Sequence, residues 1–194
     1  MRNLLLPDYI FGYYGDVTPE FLKSIGIDAL LIDIDNTLAP YEQIFPDKSN
    51  IEWFESLKTH GIKASLISNN NRDRVEKFNE KLKLDAYAKS GKPFPKTLRL
   101  AMSRMGSNEK NTAILGDQLL TDAAAGKRLG LVTIIVPPIK DKSNAFFRIK
   151  RAMEVKHIKK YVKIHGEECM KICSFWINRE YKKNRKRVYY NGLR

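Results

Sequence analysis

From residue 29 onward the chain alternates between two hydrophobic patterns. One is a short, nearly unbroken apolar run: ALLIDI (29–34), IKASLIS (62–68), LDAYA (84–88), NTAILGD (111–117) and LVTIIV (131–136). Such runs predict strands covered on both faces. The other is a stripe at helical spacing, such as Val75, Phe78 and Leu82 within 70–82, or Leu98, Met102 and Met105 within 95–106. Helices are also predicted over 16–26, 47–59 and 119–129. In the first of these Thr18 is placed to cap, Pro19 suits the first helical position, Glu20 favours the positive end and Gly26 can stop the helix. Strands and helices alternate throughout. That predicts a five-stranded parallel sheet with helices on both faces, a Rossmann-like α/β fold.

In such sheets ligands bind beyond the carboxyl ends of the strands. The residues found there are polar and chemically capable. Asp33 and Asp35 follow the first run, Ser68 and Asn69 the second, and Asp117 and Asp122 the fourth, in GDQLLTD. Lys92 opens the helix after the third. Each alone is ordinary. An Asp-x-Asp pair is often a turn, a Ser before Asn-Asn is often a cap, and a single Lys is usually on the surface. Their succession at consecutive strand ends is what points to a site.

Crowded carboxylates repel, and a divalent cation relieves that repulsion. Magnesium takes oxygen ligands and keeps waters, so Asp33 and Asp117, with the Asp35 carbonyl, form a suitable set. A carboxylate can attack phosphorus to give an aspartyl-phosphate. Asp33 is placed for that, and Asp35 for proton transfer to the leaving oxygen and then from water. Ser68 and the backbone N–H groups after it, including that of Asn69, suit a phosphate oxygen. Lys92 suits its remaining charge.

Charge divides the chain. Residues 1–139 hold 18 Lys and Arg against 17 Asp and Glu, while residues 140–194 hold 17 against 5. The expected organisation is a near-neutral core domain over 1–139 and a basic, aromatic-containing, helical extension over 140–194. The asymmetry implies an anionic partner for the extension. An anionic membrane surface is one reading, with Phe175, Trp176, Tyr189 and Tyr190 at the interface. Nucleic acid is another. A helix packed on the core, with a frayed basic end, is the third. Segment 145–164 does not divide into clean faces. Leu4, Leu5, Leu6, Phe11, Tyr13 and Tyr14 are expected in the core, with a membrane contact as the alternative. Cys169 and Cys173 make no disulfide framework or zinc set and are expected as buried apolar residues. No apolar run reaches the roughly 18–20 residues of a membrane span, and MRNLLLPDYIFGYY lacks the pattern of a signal peptide.

Taken together, DIDNT (33–37), ISNN (67–70), GKPFP (91–95) and GDQLLTD (116–122) resemble the four motifs of haloacid-dehalogenase (HAD) superfamily phosphatases, in the form of subclass IIIA. LLLPDYI, DVTPEFL and IEWFESLKTHGIKASLISNN resemble the YqeG-type group, which is related to mitochondrial and plastid phosphatidylglycerophosphate phosphatases. The resemblance covers about residues 3–138. It implies Asp33 as nucleophile, Asp35 as acid/base, Ser68 as phosphate binder, Lys92 as charge stabiliser, Asp117 as magnesium ligand and Asp122 as an outer-shell or alternative metal residue. Family members that act on small metabolites usually carry a cap domain. Here Asp33 to Ser68 is 35 residues and Ser68 to Lys92 is 24, which leaves no room for one. An open site suits a phosphate on something large.

The expected function is therefore a magnesium-dependent phosphomonoester hydrolase. Its expected substrate is phosphatidylglycerophosphate, and its expected place is cytoplasmic, peripheral at the inner face of the membrane. A nucleic-acid end phosphatase and a non-catalytic nucleic-acid or ribosome-associated module are the alternatives.

Overall fold

A computed structural model of the chain describes residues 3–140, 145–166 and 169–177. It divides into two units, Met1–Asp141 and Lys142–Arg194.

The first unit is a parallel sheet of six strands in the order β1-β6-β5-β2-β3-β4. They are β1 (Tyr9–Ile10), β2 (Ala29–Ile32), β3 (Lys63–Ile67), β4 (Asp85–Tyr87), β5 (Thr112–Gly116) and β6 (Val132–Ile135). Five are the predicted strands, trimmed at their ends. The sixth, β1, is too short to show periodicity. Asp8 fastens it, accepting from the Thr133 amide at 2.8 Å and from Lys127.

Helices α1 (Pro19–Ser24), α2 (Lys48–Thr59), α3 (Arg72–Asn79), α4 (Lys96–Met105) and α5 (Ala124–Leu129) connect the strands. β2 shows why they lie on both faces. Its four residues are all buried and alternate in direction. Leu30 and Ile32 join a core with Leu22, Trp53, Leu57, Val75 and Phe78, from α1, α2 and α3. Leu31 joins the opposite core with Leu98, Met102 and Ala125, from α4 and α5. The helix starts are set locally. Thr18 caps α1 by accepting from Phe21 N at 3.2 Å, and Asp47 caps α2 in a reciprocal box with Asn50. The predicted helix at 119–129 begins instead as a wider π turn over Leu119–Ala123. Phe11 and Tyr13 pack on the core and Tyr14 is within it.

The second unit contains α6 (Ala145–His165) and α7 (Met170–Ile177). In α6, Glu154, Ile158, Tyr161 and Val162 are buried, and in α7 so are Cys173 and Trp176. Trp176 is thus not an exposed interfacial anchor, because helical spacing places it on the same face as Cys173. Burial pushes the Cys173 thiol up to about 12, so it stays protonated. Residues 178–194, with Tyr189 and Tyr190, lie outside the described residues. No helix among the described residues is long and apolar enough to cross a membrane.

Candidate active site

Strand order reverses at β2, which pairs with β3 on one side and β5 on the other. The crevice beside it is where a ligand fits an open parallel sheet. The Asp33 amide still donates to Leu115 O at 2.9 Å, which holds Asp33 beside the end of β5. The chain then turns sharply. Asn36 adopts φ 67°, a left-handed conformation that Asn tolerates, and its amide donates to Ala39 O at 2.7 Å. This turn separates the side chains of Asp33 and Asp35 into two different environments.

Asp33 faces the two acids that follow β5, Asp117 and Asp122. Carboxylate oxygens of Asp33, Asp117 and Asp122 all lie within 4.8 Å of one another. Lys92 Nζ enters this group, 2.7 Å from Asp33 Oδ1 and 2.7 Å from Asp122 Oδ1. It also donates to Ile67 O at 2.7 Å, and Thr37 donates to Asp33 Oδ2 at 3.1 Å. All these side chains are buried. Burial, opposed by Lys92 and reinforced by Asp122, pushes the Asp33 carboxyl up to about 7. Burial alone pulls Lys92 down, but Asp122 and Asp33 outweigh it and hold the ammonium charged. Three buried carboxylates thus face one ammonium. That imbalance, with oxygen donors only, fits a divalent cation.

Asp35 faces α3. Its Oδ2 accepts from Ser68 Oγ at 3.3 Å and Asn70 Nδ2 at 3.0 Å, and its Oδ1 from Arg74 Nε at 3.2 Å. The Asp35 side chain therefore lies outside the acidic trio, leaving its backbone carbonyl as the group expected at a cation. Asn69 is occupied differently. Its side chain accepts from Lys92 N at 2.9 Å and from Ser90 Oγ at 2.8 Å, and donates to Lys92 O at 2.9 Å. It clamps the Lys92 loop, and only its backbone remains for a phosphate.

Sequence reasoning missed Thr37, Asn70 and Arg74. Arg74 had a signal, because a base in the first turn of a helix opposes the helix dipole unless something compensates it. Its guanidinium also donates to Ile44 O at 3.0 Å and stacks 5.2 Å from the Phe78 ring centroid. Tyr41 was missed too. Burial, and then the carboxylates of Asp117 and Asp33, push its hydroxyl above the usual phenol range.

Gly116 makes the close approach of Asp122 possible. A Cβ there would lie 2.3 Å from Asp122 Cγ. Gly116→Ala is expected to displace Asp122 from Lys92 and to destabilise the fold by about 1–3 kcal/mol. Urea unfolding measures this, and unchanged stability would contradict the crowding.

The HAD-hydrolase-like family profile matches residues 89–141. "Probable phosphatase YqeG" of Bacillus subtilis (strain 168) is 36% identical over 154 residues, which span 79% of this chain and 90% of that protein. "Ribonucleotide monophosphatase NagD" of Escherichia coli (strain K12) is 46% identical over 46 residues, 24% of this chain and 18% of NagD. The solved structure of NagD from E. coli K-12 superposes with a TM-score of 0.48 and 15% identity, over 62% of this chain and 93% of NagD. With the YqeG match running through nearly the whole of that relative, and Asp33 meeting Lys92 at the sheet edge, the chain belongs to the YqeG-type family of HAD phosphatases, hydrolases of phosphoric monoesters.

Proposed function

We propose that the chain is a magnesium-dependent phosphatase that works through an aspartyl-phosphate and acts on a phosphorylated lipid at a membrane surface. The observation that carries the chemistry is the division of the Asp33–Asp35 pair between two environments, one cationic and acidic, the other hydrogen-bonding. Asp33 attacks phosphorus and displaces the alcohol, with Lys92 and Thr37 orienting its carboxylate. Asp35 gives its proton to the leaving oxygen. It then takes a proton from the water that hydrolyses the aspartyl-phosphate, releasing phosphate and restoring Asp33. Ser68 and the amides after it hold a phosphate oxygen. Asp33, Asp117 and Asp122, with the Asp35 carbonyl, would hold magnesium, whose chemistry there is neutralisation of phosphoryl charge.

The open site supports a large substrate. The connection from Asp33 to Ser68 contains α2, and that from Ser68 to Lys92 contains α3 and β4, with no inserted domain. The choice of phosphatidylglycerophosphate rests on the sequence resemblance, and location at the cytoplasmic membrane face follows from that choice. The basic extension supports contact with an anionic surface.

Phosphate release from phosphatidylglycerophosphate in mixed micelles, with an aryl phosphate and a phosphorylated oligonucleotide alongside, tests the reading. Preference for the lipid is expected. Release from the oligonucleotide alone would replace the lipid by a nucleic-acid end.

Metal dependence has its own signature. A carboxyl raised to about 7 keeps in the folded state a proton that the unfolded chain has already lost. The metal-free fold therefore loses stability as pH rises from about 4 to about 7. Magnesium must displace that proton, so its affinity is expected to weaken by about tenfold per pH unit well below pH 7. Thermal unfolding with and without magnesium across pH measures this, and a pH-independent shift would remove Asp33 from the ligand set.

A further inference from the structure

Large apolar side chains stand exposed on the loops that carry the reacting groups. Phe94 is 71% exposed, and Ile44 and Phe45 are each 46% exposed. A lone exposed apolar residue needs no explanation, but a group of them beside a site does. These three lie on two loops that leave the same carboxyl edge of the parallel sheet, after β2 and after β4.

Both loops are fixed at the backbone. Arg74 holds the first at the Ile44 carbonyl while binding Asp35. Asn69 holds the second at Lys92, and Arg128 donates to Pro93 O at 2.8 Å. The apolar tips are therefore presented by anchored backbone. On the exposed face of α4, Leu100 is a further such residue, 49% exposed.

The charge around Phe94 is one-sided. Residues 86–108 hold five bases, Lys89, Lys92, Lys96, Arg99 and Arg104, and no acid. Lys92 points into the site, and Lys89, Lys96 and Arg99 are exposed, as is Arg128. Phe94 among these bases complements a surface with anionic headgroups above hydrocarbon, while the Ile44–Phe45 tip, flanked by the exposed acids Glu42 and Asp47, adds apolar surface and no positive charge. Single-stranded nucleic acid also attracts bases and aromatics, but Ile44 and Leu100 offer it nothing to stack on.

We propose that this rim is a bilayer-contact surface: Phe94, Ile44 and Phe45 enter an anionic lipid surface while Lys89, Lys96, Arg99 and Arg128 meet its phosphates. The site mouth then opens directly onto the headgroup layer. The inference deepens the lipid-phosphatase reading and rests on it for the substrate, and the surface can be tested separately.

The full chain carrying F94W is mixed with phosphatidylcholine vesicles, with and without phosphatidylglycerol, made with brominated acyl chains. Quenching beyond that of the parent protein is expected on the anionic vesicles. A variant that co-sediments with these vesicles but is not quenched there would overturn the proposal. Quenching by a single-stranded oligonucleotide, and not by brominated lipid, would overturn it in favour of nucleic acid.

Activity gives the second readout. The double variant Phe45→Ser, Phe94→Ser is expected to hydrolyse an aryl phosphate as the parent does. On lipid phosphate in vesicles it is expected to lose at least about tenfold. Equal lipid activity in parent and variant sinks the docking surface and leaves the substrate reading standing. Quenching without lipid-phosphate release by the parent keeps the surface and sinks the substrate.

Discussion

Asp33→Asn is expected to abolish phosphate release from every substrate and to leave a protein more stable than the parent when magnesium is absent. The two effects have one origin. Asn keeps the shape of Asp but lacks the carboxylate proposed to attack phosphorus, and loss of a covalent nucleophile typically costs roughly 10⁴-fold or more in turnover. The same carboxylate is buried with those of Asp117 and Asp122 around a single ammonium. Its removal relieves desolvation and repulsion, the causes that push it up to about 7. The gain should grow as pH rises from about 4 to about 7, where the folded parent keeps a proton that its unfolded chain has lost, level off above that, and vanish in acid, where Asp33 is protonated in both states. Magnesium should raise the melting temperature of the parent far more than that of the variant. Turnover near the parent's would remove Asp33 as nucleophile. A variant less stable than the parent at high pH would show that the trio is balanced without a cation.

Lys92→Met should have the largest effect on stability. The ammonium is buried and has three partners at 2.7 Å: Asp33, Asp122 and the Ile67 carbonyl. Met matches the length of the stem but leaves the three buried carboxylates of Asp33, Asp117 and Asp122 with no ammonium among them. Breaking a buried pair in this way costs about 3–5 kcal/mol. The pH dependence identifies the cause. A lysine whose folded pKa is raised contributes stability below its unfolded value, and that contribution is lost only as pH passes the folded value. The parent should therefore show no alkaline loss from Lys92 in the accessible range. The cost of the variant should be greatest near pH 8 and shrink toward about pH 5 as Asp33 takes up a proton. Urea unfolding at both values measures it. A cost independent of pH would assign the loss to packing.

The sequence disclosed the site better than it disclosed how the site is held. Asp33, Asp35, Ser68, Lys92, Asp117 and Asp122 could be placed together because each follows a predicted strand, and topology gathers such positions at one edge. Their partners were not. Thr37 reaches Asp33 only because the chain turns back on itself at Asn36. Arg74 reaches Asp35 across 39 residues of sequence, which no local pattern encodes. Asn69 reads as a phosphate binder from its place after Ser68, yet its side chain is taken up by the Lys92 loop. β1 is set by the bonds of Asp8 rather than by hydrophobic alternation. The π turn at Leu119–Ala123 brings Asp122 Oδ2 back to 3.1 Å from the Gln118 amide, a bond that apolar periodicity does not announce.

The strand order also bears on how the chain is made. β2 is flanked in the finished sheet by β3 and β5, but β3 and β4 are synthesised first. Until residues 112–116 emerge, ALLI has one side with no strand beside it, although all four residues end at 0% exposure. The most deeply interior strand of the mature protein is thus the growing chain's open border, the kind of edge that pairs with other chains. The segment that closes this border, TAILG, leads directly into Asp117. Covering the nascent chain's stickiest edge and completing the acidic cluster are therefore one event in the life of the polypeptide.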